Sequence, residues 1–206
     1  MSETQGDDGV PTPPPSKVRA LLERSSRTHN HACPRQILGI RMTLAATALL
    51  GLGLPREDKR VLAVAETDGC FLSGIETAGG LFANRRTLRV VDVGRIAATF
   101  ADVKAEDAWR LAPHPEVRER SLSCCPDAKH RFGAMMEAYV ELPTDALLTW
   151  EKVTLVPGVK TLVGRPHVRV TCAGCGEEVI NERETLEGDQ AYCPACRGGA
   201  YYRRGS

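Results

Sequence analysis

The sequence predicts an α+β protein: a core domain that mixes helices with a sheet, followed by a small cysteine-rich module. Three observations indicate this class. A long apolar run at residues 36–54 is typical of a buried helix, whereas short apolar runs such as residues 61–66 are typical of buried strands. Near the C-terminus, two Cys-x-x-Cys pairs stand seventeen residues apart, which is the spacing of a four-cysteine zinc site.

Composition limits the classes of function. The 206 residues carry 27 Lys and Arg against 26 Asp and Glu, and 42% are hydrophobic, as in ordinary globular proteins. A net charge of +1 gives no electrostatic attraction to nucleic acid or to an anionic membrane. Eight cysteines without a secretory leader indicate a reducing compartment and metal or thiol chemistry. We therefore expect a cytoplasmic protein.

The chain divides into three predicted parts. Residues 1–16 are rich in proline and acidic side chains and are expected to form a loose tail. Residues 17–164 form the core domain, which opens with an amphipathic helix at residues 16–27. Residues 165–206 form the zinc module.

The apolar run at residues 36–54 is long enough to raise the question of a membrane span. Arg41 lies inside it and three glycines interrupt it, which disfavours a span. A buried core helix that ends at the glycines before Pro55 explains both features. Its alanines would allow close packing against a sheet or a second copy of the chain.

The segment just before this helix carries the first candidate site. Pro34 suits the first helical position, so Cys33 becomes the N-cap residue, where the helix dipole favours a thiolate. His31 and His29 precede it at alternate positions and would point the same way in an extended segment. Two imidazoles and a thiolate form a half-site for a borderline-soft transition metal. The alternative is a small buried cysteine beside two surface histidines.

A second cysteine, Cys70, lies between the predicted strand at residues 61–66 and a predicted helix at residues 73–78. Ligand sites in α/β arrangements favour such junctions, although Cys70 could simply pack under the sheet. Adjacent cysteines rarely share one metal ion, so Cys124 and Cys125 are expected to be structural. The remaining predicted elements are a hairpin or adjacent strand pair at 87–93 and 95–103, an interrupted helix at 115–136, and strands at 149–155 and 168–171.

The C-terminal module carries the most specific motif of the chain. Four cysteines would fill a tetrahedral zinc site and leave no open position, so the predicted role is structural; redox-active Cys-x-x-Cys pairs are the alternative. Arginines and acidic residues balance from residue 165 onward, which favours a protein contact or a lid over the main domain above nucleic-acid binding. The predicted ligands are Cys172, Cys175, Cys193 and Cys196.

Several motifs resemble the FmdE family of formylmethanofuran dehydrogenase proteins over roughly residues 17–196. The resemblance implies an α+β core that forms an intertwined homodimer, with a C-terminal treble-clef zinc finger. It also implies a connection to the operon of a molybdenum or tungsten enzyme. The motifs are HNHACP at 29–34, ETDGC at 66–70, RTLRV at 86–90 and DVGRIAATF at 92–100.

The sequence departs from the family pattern at three positions. Asn30 and Arg35 replace glycines of the His-Gly-His-x-Cys-Pro-Gly motif, and Leu81 replaces a cysteine that follows Cys70 in relatives. The missing cysteine weakens a catalytic dithiol interpretation. A site built from His31, Cys33 and Cys70 remains.

Three hypotheses follow from these features. The first is a zinc-binding accessory protein that handles metal or cofactor, or assists assembly, beside an oxidoreductase or metal-cofactor enzyme partner. The second is an enzyme that uses Cys33 or Cys70, with His31 as base or ligand and Asp68 or Glu66 as proton carrier. The third is a zinc-finger regulator that binds nucleic acid. Charge balance disfavours the third, and Leu81 favours the first over a thiol-redox enzyme.

Overall fold

The computed structural model describes residues 9–165 and 167–203, without the side chains of residues 28 and 29. The chain divides into two compact units, Met1–Val156 and Pro157–Ser206. The helices of the first unit are α1 (Pro15–His29), α2 (Pro34–Leu50), α3 (Cys70–Gly79), α4 (Val117–Cys124), α5 (Arg131–Glu141) and α6 (Thr144–Leu147). Its strands are β1 (Val61–Ala65), β2 (Leu88–Val90), β3 (Ala98–Asp102), β4 (Asp107–Pro113) and β5 (Leu148–Lys152).

The five strands form one mixed sheet in the order β2-β1-β3-β4-β5, which confirms the predicted α+β class. β1 pairs with β2 in parallel, and the other neighbours are antiparallel. The register places Phe100 opposite Trp109 and Leu111 opposite Trp150. The helices pack on this sheet around a core that includes Ile37, Ile40, Phe71, Ile75, Phe100 and Leu111.

The predicted hairpin between residues 87–93 and 95–103 is wrong. β2 and β3 lie on opposite sides of β1 and do not pair with each other. The segment between them crosses the end of β1, because the carbonyl oxygen of Glu66 accepts hydrogen bonds from the backbone N–H groups of Val93 and Arg95 at 3.0 and 3.2 Å. Interpreting Gly94 locally as a tight turn could not anticipate that the central strand comes earlier in the chain.

β4 was not predicted from the sequence. Its residues, DAWRLAP, alternate polar and small apolar side chains, and only Ala108 and Leu111 are buried. Pairing with β3 on one side and β5 on the other forms the strand despite this weak pattern. The helix predicted at residues 115–136 is divided into α4 and α5, and Cys124 is the last residue of α4.

α2 and α3 cross at unusually close range. A Cβ added at Gly39 of α2 would lie 2.3 Å from the carbonyl oxygen of Phe71, and one added at Gly74 of α3 would lie 2.2 Å from that of Gln36. Both obstacles are backbone atoms, so only glycine allows this approach. The crossing places the first turns of the two helices side by side, directly behind the segment that carries Cys33.

Arg41 is buried in the middle of α2, with 1% of its surface exposed. Its guanidinium donates hydrogen bonds to the carbonyl oxygens of Tyr139, Val140 and Leu142 at the end of α5, at 3.0, 3.2 and 2.8 Å. Burial lowers its pKa to about 10, so it stays charged at neutral pH and complements the negative end of that helix. Among the helices of the described residues, none has the length and hydrophobicity needed to cross a membrane.

The described part of the predicted tail lies against the first unit. Thr144 donates a backbone hydrogen bond to the hydroxyl of Thr12 at 2.9 Å, and its own hydroxyl donates to the carbonyl of Pro11 at 3.1 Å. Val10 packs against the core, and α1 begins at Pro15. Residues 9–14 therefore differ from the loose tail we expected, and residues 1–8 lie outside the described residues.

The second unit is built around two short hairpins. It begins at Pro157, whereas the sequence placed the domain boundary at residue 165. Its elements are α7 (Val159–Val163), β6 (Arg169–Thr171), β7 (Glu178–Ile180), β8 (Thr185–Glu187), β9 (Gln190–Tyr192) and a 3-10 helix at Pro194–Arg197. β6 pairs with β7 and β8 with β9, both antiparallel.

Candidate metal sites

The structure brings together His31, Cys33 and Cys70 in the first unit. Each offers one ligand atom, and the three atoms lie within 4.8 Å of one another. The sulfur of Cys70 is 3.7 Å from Nε2 of His31. His31 is exposed and the two cysteines are half-buried, so the cluster lies at the surface of the unit.

Two helix starts position this cluster. Cys33 is the N-cap residue of α2, with Pro34 at the first helical position, and Cys70 is the first residue of α3. The side chain of Gln36 accepts a hydrogen bond from the backbone N–H of Cys33 at 2.8 Å and donates to the hydroxyl of Ser25 in α1 at 3.0 Å. The glycine crossing of α2 and α3 then holds the two helix starts together. The site is therefore built on rigid elements.

The donor set suits a borderline-soft divalent metal such as zinc. Two sulfurs and one imidazole supply three protein ligands and leave a fourth position for water or a substrate atom. Burial, followed by a hydrogen bond with Cys33, raises the pKa of the Cys70 thiol. A bound dication would displace that proton by stabilising the thiolate.

Other residues that the sequence nominated do not join the cluster. Asp68 is exposed and is absent from the group of converging ligand atoms. Glu66 instead forms ion pairs with Arg110 and Arg95 at 2.6 and 2.8 Å, and the Arg110 hydrogen bonds lower its pKa, so it is a poor proton carrier near neutral pH. The side chain of His29 lies outside the described residues. Cys124 and Cys125 belong to neither ligand group among the described residues.

The second site unites the four C-terminal cysteines. One sulfur from each of Cys172, Cys175, Cys193 and Cys196 lies within 4.8 Å of all the others. The sulfurs of Cys175 and Cys193 are 3.9 Å apart. A tetrahedron with Zn–S bonds of about 2.3 Å has edges of roughly 3.8 Å, so this spacing fits a zinc ion. All eight cysteines of the chain carry free thiols.

Local backbone geometry shapes the four-cysteine site. The backbone N–H of Cys193 donates to the sulfur of Cys172 at 3.2 Å and lowers the pKa of that thiol to about 6. Hydrogen bonds with the neighbouring thiols raise the pKa of Cys196 to about 12, because the crowded sulfurs cannot all ionise without a cation. A Cβ at Gly174 would lie 3.0 Å from the sulfur of Cys196, so the first Cys-x-x-Cys turn favours glycine there.

Sequence reasoning missed the surroundings of Cys33. This residue also lines a cleft of about 740 Å³ in the first unit, with Arg95, Arg110 and His114 among the walls. Arg110 belongs to β4, which the sequence did not reveal, and no motif in the chain relates it to Cys33. A basic residue at position 35, where the family has glycine, was the one available signal.

Fold and sites together define a two-unit α+β protein with one three-ligand candidate metal site and one four-cysteine group. The chain belongs to the FmdE family, described as "FmdE, Molybdenum formylmethanofuran dehydrogenase operon", whose model matches residues 28–155. This confirms the resemblance drawn from the motifs. Cys33 and Cys70 both lie inside the matched range, and the four-cysteine group lies outside it.

Two further comparisons extend this assignment. The chain is similar to a "Probable S-adenosyl-L-methionine-binding protein" of Archaeoglobus fulgidus, with 33% identity over 100 residues; these are 47% of the present chain and 26% of that protein. The chain thus spans about a quarter of that relative's length. The fold is similar to the crystal structure of a tungsten formylmethanofuran dehydrogenase FmdE-like protein from Syntrophus aciditrophicus. The TM-score is 0.58 at 20% identity, over 90% of this chain and 95% of that one.

Proposed function

We propose that this protein is a metal-binding accessory protein that handles a transition metal or metal cofactor. In this proposal, His31, Cys33 and Cys70 hold an exchangeable divalent metal, and the four C-terminal cysteines hold a structural zinc ion. The carrying observation is the convergence of one imidazole and two sulfurs within 4.8 Å at the surface of the unit. An exposed site with three protein ligands can exchange its metal with a partner, whereas a closed four-ligand site retains it.

The proposed context is a formylmethanofuran dehydrogenase-type system. The support for it is membership of a family that is described by that operon. The partner in this proposal is an oxidoreductase or another metal-cofactor enzyme. Cytoplasmic localisation remains part of the proposal, since the chemistry of free thiols requires a reducing environment.

A metal-dependent enzyme is the second candidate. Two observations favour it: the open fourth position of the His31, Cys33 and Cys70 group, and the cleft that borders Cys33. A metal in such a position can acidify a bound water or polarise a substrate oxygen. The distinguishing measurement is the visible spectrum of Co²⁺ at this site, because a small anion such as azide shifts the spectrum only where a coordination position is open.

The C-terminal unit is proposed to be a treble-clef-like zinc finger that contacts protein. One cysteine pair follows β6 and the other flanks the 3-10 helix after β9, as two facing knuckles require. Three of its arginines are compensated by acidic side chains: Arg165 pairs with Glu182, Arg169 with Glu178 and Arg197 with Glu187. Such compensation supports a protein contact over the basic face that nucleic-acid binding requires.

The core metal site is tested by metal titration of the full chain. Chelator-treated protein that is reloaded with Co²⁺ should bind two equivalents per chain, with sulfur-to-cobalt absorption from both. Cys33→Ser and Cys70→Ser should each bind one equivalent, because each removes a ligand that the remaining two cannot replace. Elemental analysis and absorption spectra supply the counts.

The matched control for this titration is Cys124→Ser, since Cys124 is an exposed cysteine outside both groups. It should bind two equivalents like the wild type. Because His31 is exposed, His31→Ala is a further variant that should leave the fold intact, and it should also bind one equivalent. A wild-type protein that accepts only one equivalent under every loading condition would rule out the core site.

We also propose that the protein is a homodimer, although not through α2. The apolar face of α2 is satisfied within the chain, where Ile37, Ile40 and Ala46 are fully buried. The better surface is the edge of the sheet at β2, where Val90, Val91 and Val93 are 43%, 54% and 56% exposed. Exposed valines on an edge strand are typical of a surface that pairs with another chain.

Sedimentation at micromolar concentration should give the mass of a dimer. Val91→Lys should shift the protein toward monomer, because it places a charge in the proposed interface. Val156→Lys is the control, since Val156 is 93% exposed and lies away from β2. A monomeric wild type, or equal behaviour of the two variants, would contradict the assignment of this edge.

A further inference from the structure

The cleft beside Cys33 has walls of a single charge type. Its volume of about 740 Å³ lies within the range of roughly 300–1,000 Å³ that is typical of small-molecule sites. None of the described residues that line it is acidic. The basic lining residues are Arg35, Arg95, Arg110, Arg118 and His114.

Part of this positive charge is compensated and part is not. Glu66 pairs with Arg110 and Arg95, and Glu151 lies 3.4 Å from Arg110. Arg35 and Arg118 are exposed, and neither has a carboxylate partner among the described residues. Arg35 also stands in the first turn of α2, whose unpaired N–H groups add positive potential. The cleft therefore offers two free guanidinium groups and a helix start to an anion.

The floor of the cleft is apolar, which limits the shape of the ligand. Tyr139 is almost fully buried, whereas Phe132 is 48% exposed at the rim. An exposed phenylalanine beside arginines can stack against a flat ligand. The apolar lining residues are Leu38, Ile96, Val117, Phe132, Met135 and Tyr139.

We propose that this cleft binds a small amphipathic organic anion, with an aromatic or otherwise apolar body and a terminal carboxylate or phosphate. The body packs between Phe132 and Met135, and the anionic group receives hydrogen bonds from Arg35 and Arg118. Cys33 lines the same cleft and belongs to the metal group, so a bound ligand lies next to the three-ligand site. Ligand binding here does not depend on the proposed metal function.

The test uses anilinonaphthalene sulfonate as the probe, because this dye combines an apolar aromatic body with one anionic group and fluoresces when it is bound. Zinc-loaded full-length protein should bind one dye per chain, and added salt should weaken binding by screening the charges. Phenylnaphthylamine, the same body without the anion, should bind much more weakly. The double variant Arg35→Gln/Arg118→Gln should lose dye affinity about tenfold or more and lose the salt dependence.

The matched control is Lys17→Gln/Arg24→Gln, which makes the same charge change on α1 at exposed positions outside the cleft. It should bind the dye like the wild type. Phe132→Ala should weaken binding of both probes, because it removes the apolar wall rather than a charge. Near-ultraviolet circular dichroism verifies that each variant keeps its tertiary packing, since partly unfolded proteins also bind this dye.

Competition then identifies the anionic group. Displacement of the dye by phenyl phosphate alone assigns a phosphate ester, displacement by benzoate alone assigns a carboxylate, and displacement by both assigns the shared anion chemistry. Equal dye affinity of the cleft variant and the control variant overturns the proposal, as does failure of both competitors. A cleft variant that changes the sedimentation mass but not the dye affinity also overturns it, because the cleft would then belong to an interface between copies of the chain.

Discussion

Replacing Cys175 with serine is expected to release the structural zinc ion and to unfold the chain beyond about residue 165, while the first unit stays folded. The reason is the lack of an apolar core in this region: among residues 167–203, only Cys172 and Val179 are buried. Structural zinc in small modules contributes about 10–16 kcal/mol of binding free energy, and that free energy is largely the folding free energy of such a module. Three cysteines cannot supply it.

The measurements are elemental analysis, which should show one zinc fewer per chain, and limited proteolysis, which should cleave after about residue 165 and leave a resistant N-terminal fragment. Cys124→Ser is the control, because it removes an exposed thiol that belongs to neither group. It should keep both the zinc content and the protease resistance of the wild type. A Cys175→Ser protein with a full complement of zinc would show that the four cysteines do not form the site.

Replacing Gly39 or Gly74 with alanine is expected to destabilise the first unit by about 2 kcal/mol or more. Alanine normally stabilises a helix by about 1 kcal/mol relative to glycine. Here the added Cβ would lie 2.3 Å from the carbonyl oxygen of Phe71, or 2.2 Å from that of Gln36. Because these are backbone atoms, α2 and α3 must move apart. That movement also separates Cys33 from Cys70, so the core site should bind Co²⁺ more weakly.

Urea denaturation measures the stability change, and the Co²⁺ titration measures the effect on the site. Gly133→Ala in α5 is the matched control, because a Cβ there would meet only side-chain atoms, at 3.3 Å or more. It should be neutral or slightly stabilising. If Gly39→Ala were as stable as the wild type and bound Co²⁺ normally, the close crossing would not be what positions the two cysteines.

Much of this protein could be predicted from local pattern. The apolar run before Pro55 became α2, and Pro34 correctly placed Cys33 at its N-cap. The short run at residues 61–66 became β1, and the glycines at 79–80 marked the end of α3. The two Cys-x-x-Cys pairs named the four residues whose sulfurs converge. Each of these features depends on residues close together in sequence, or on a spacing that one metal ion fixes.

Features that depend on distant partners were decided only by the tertiary structure. The order of the strands reverses the local expectation, because β1 pairs on both sides before β2 and β3 can meet. β4 exists because two neighbours pair with it, although its own pattern is weak. That strand carries Arg110, which holds Glu66 in an ion pair and removes it from the candidate proton carriers.

The core site shows the same division between sequence and structure. The sequence nominated His31, Cys33 and Cys70 from separate motifs, and it also nominated Asp68, which the structure leaves exposed and apart. Which of them converge depends on the contact between Gly39 and Gly74, two small residues that carry no chemistry themselves. The sequence alone determined which ligand types are present and where the helices begin. Only packing decided which ligands meet, because the distance between two helix starts is set by the side chains that are missing between them.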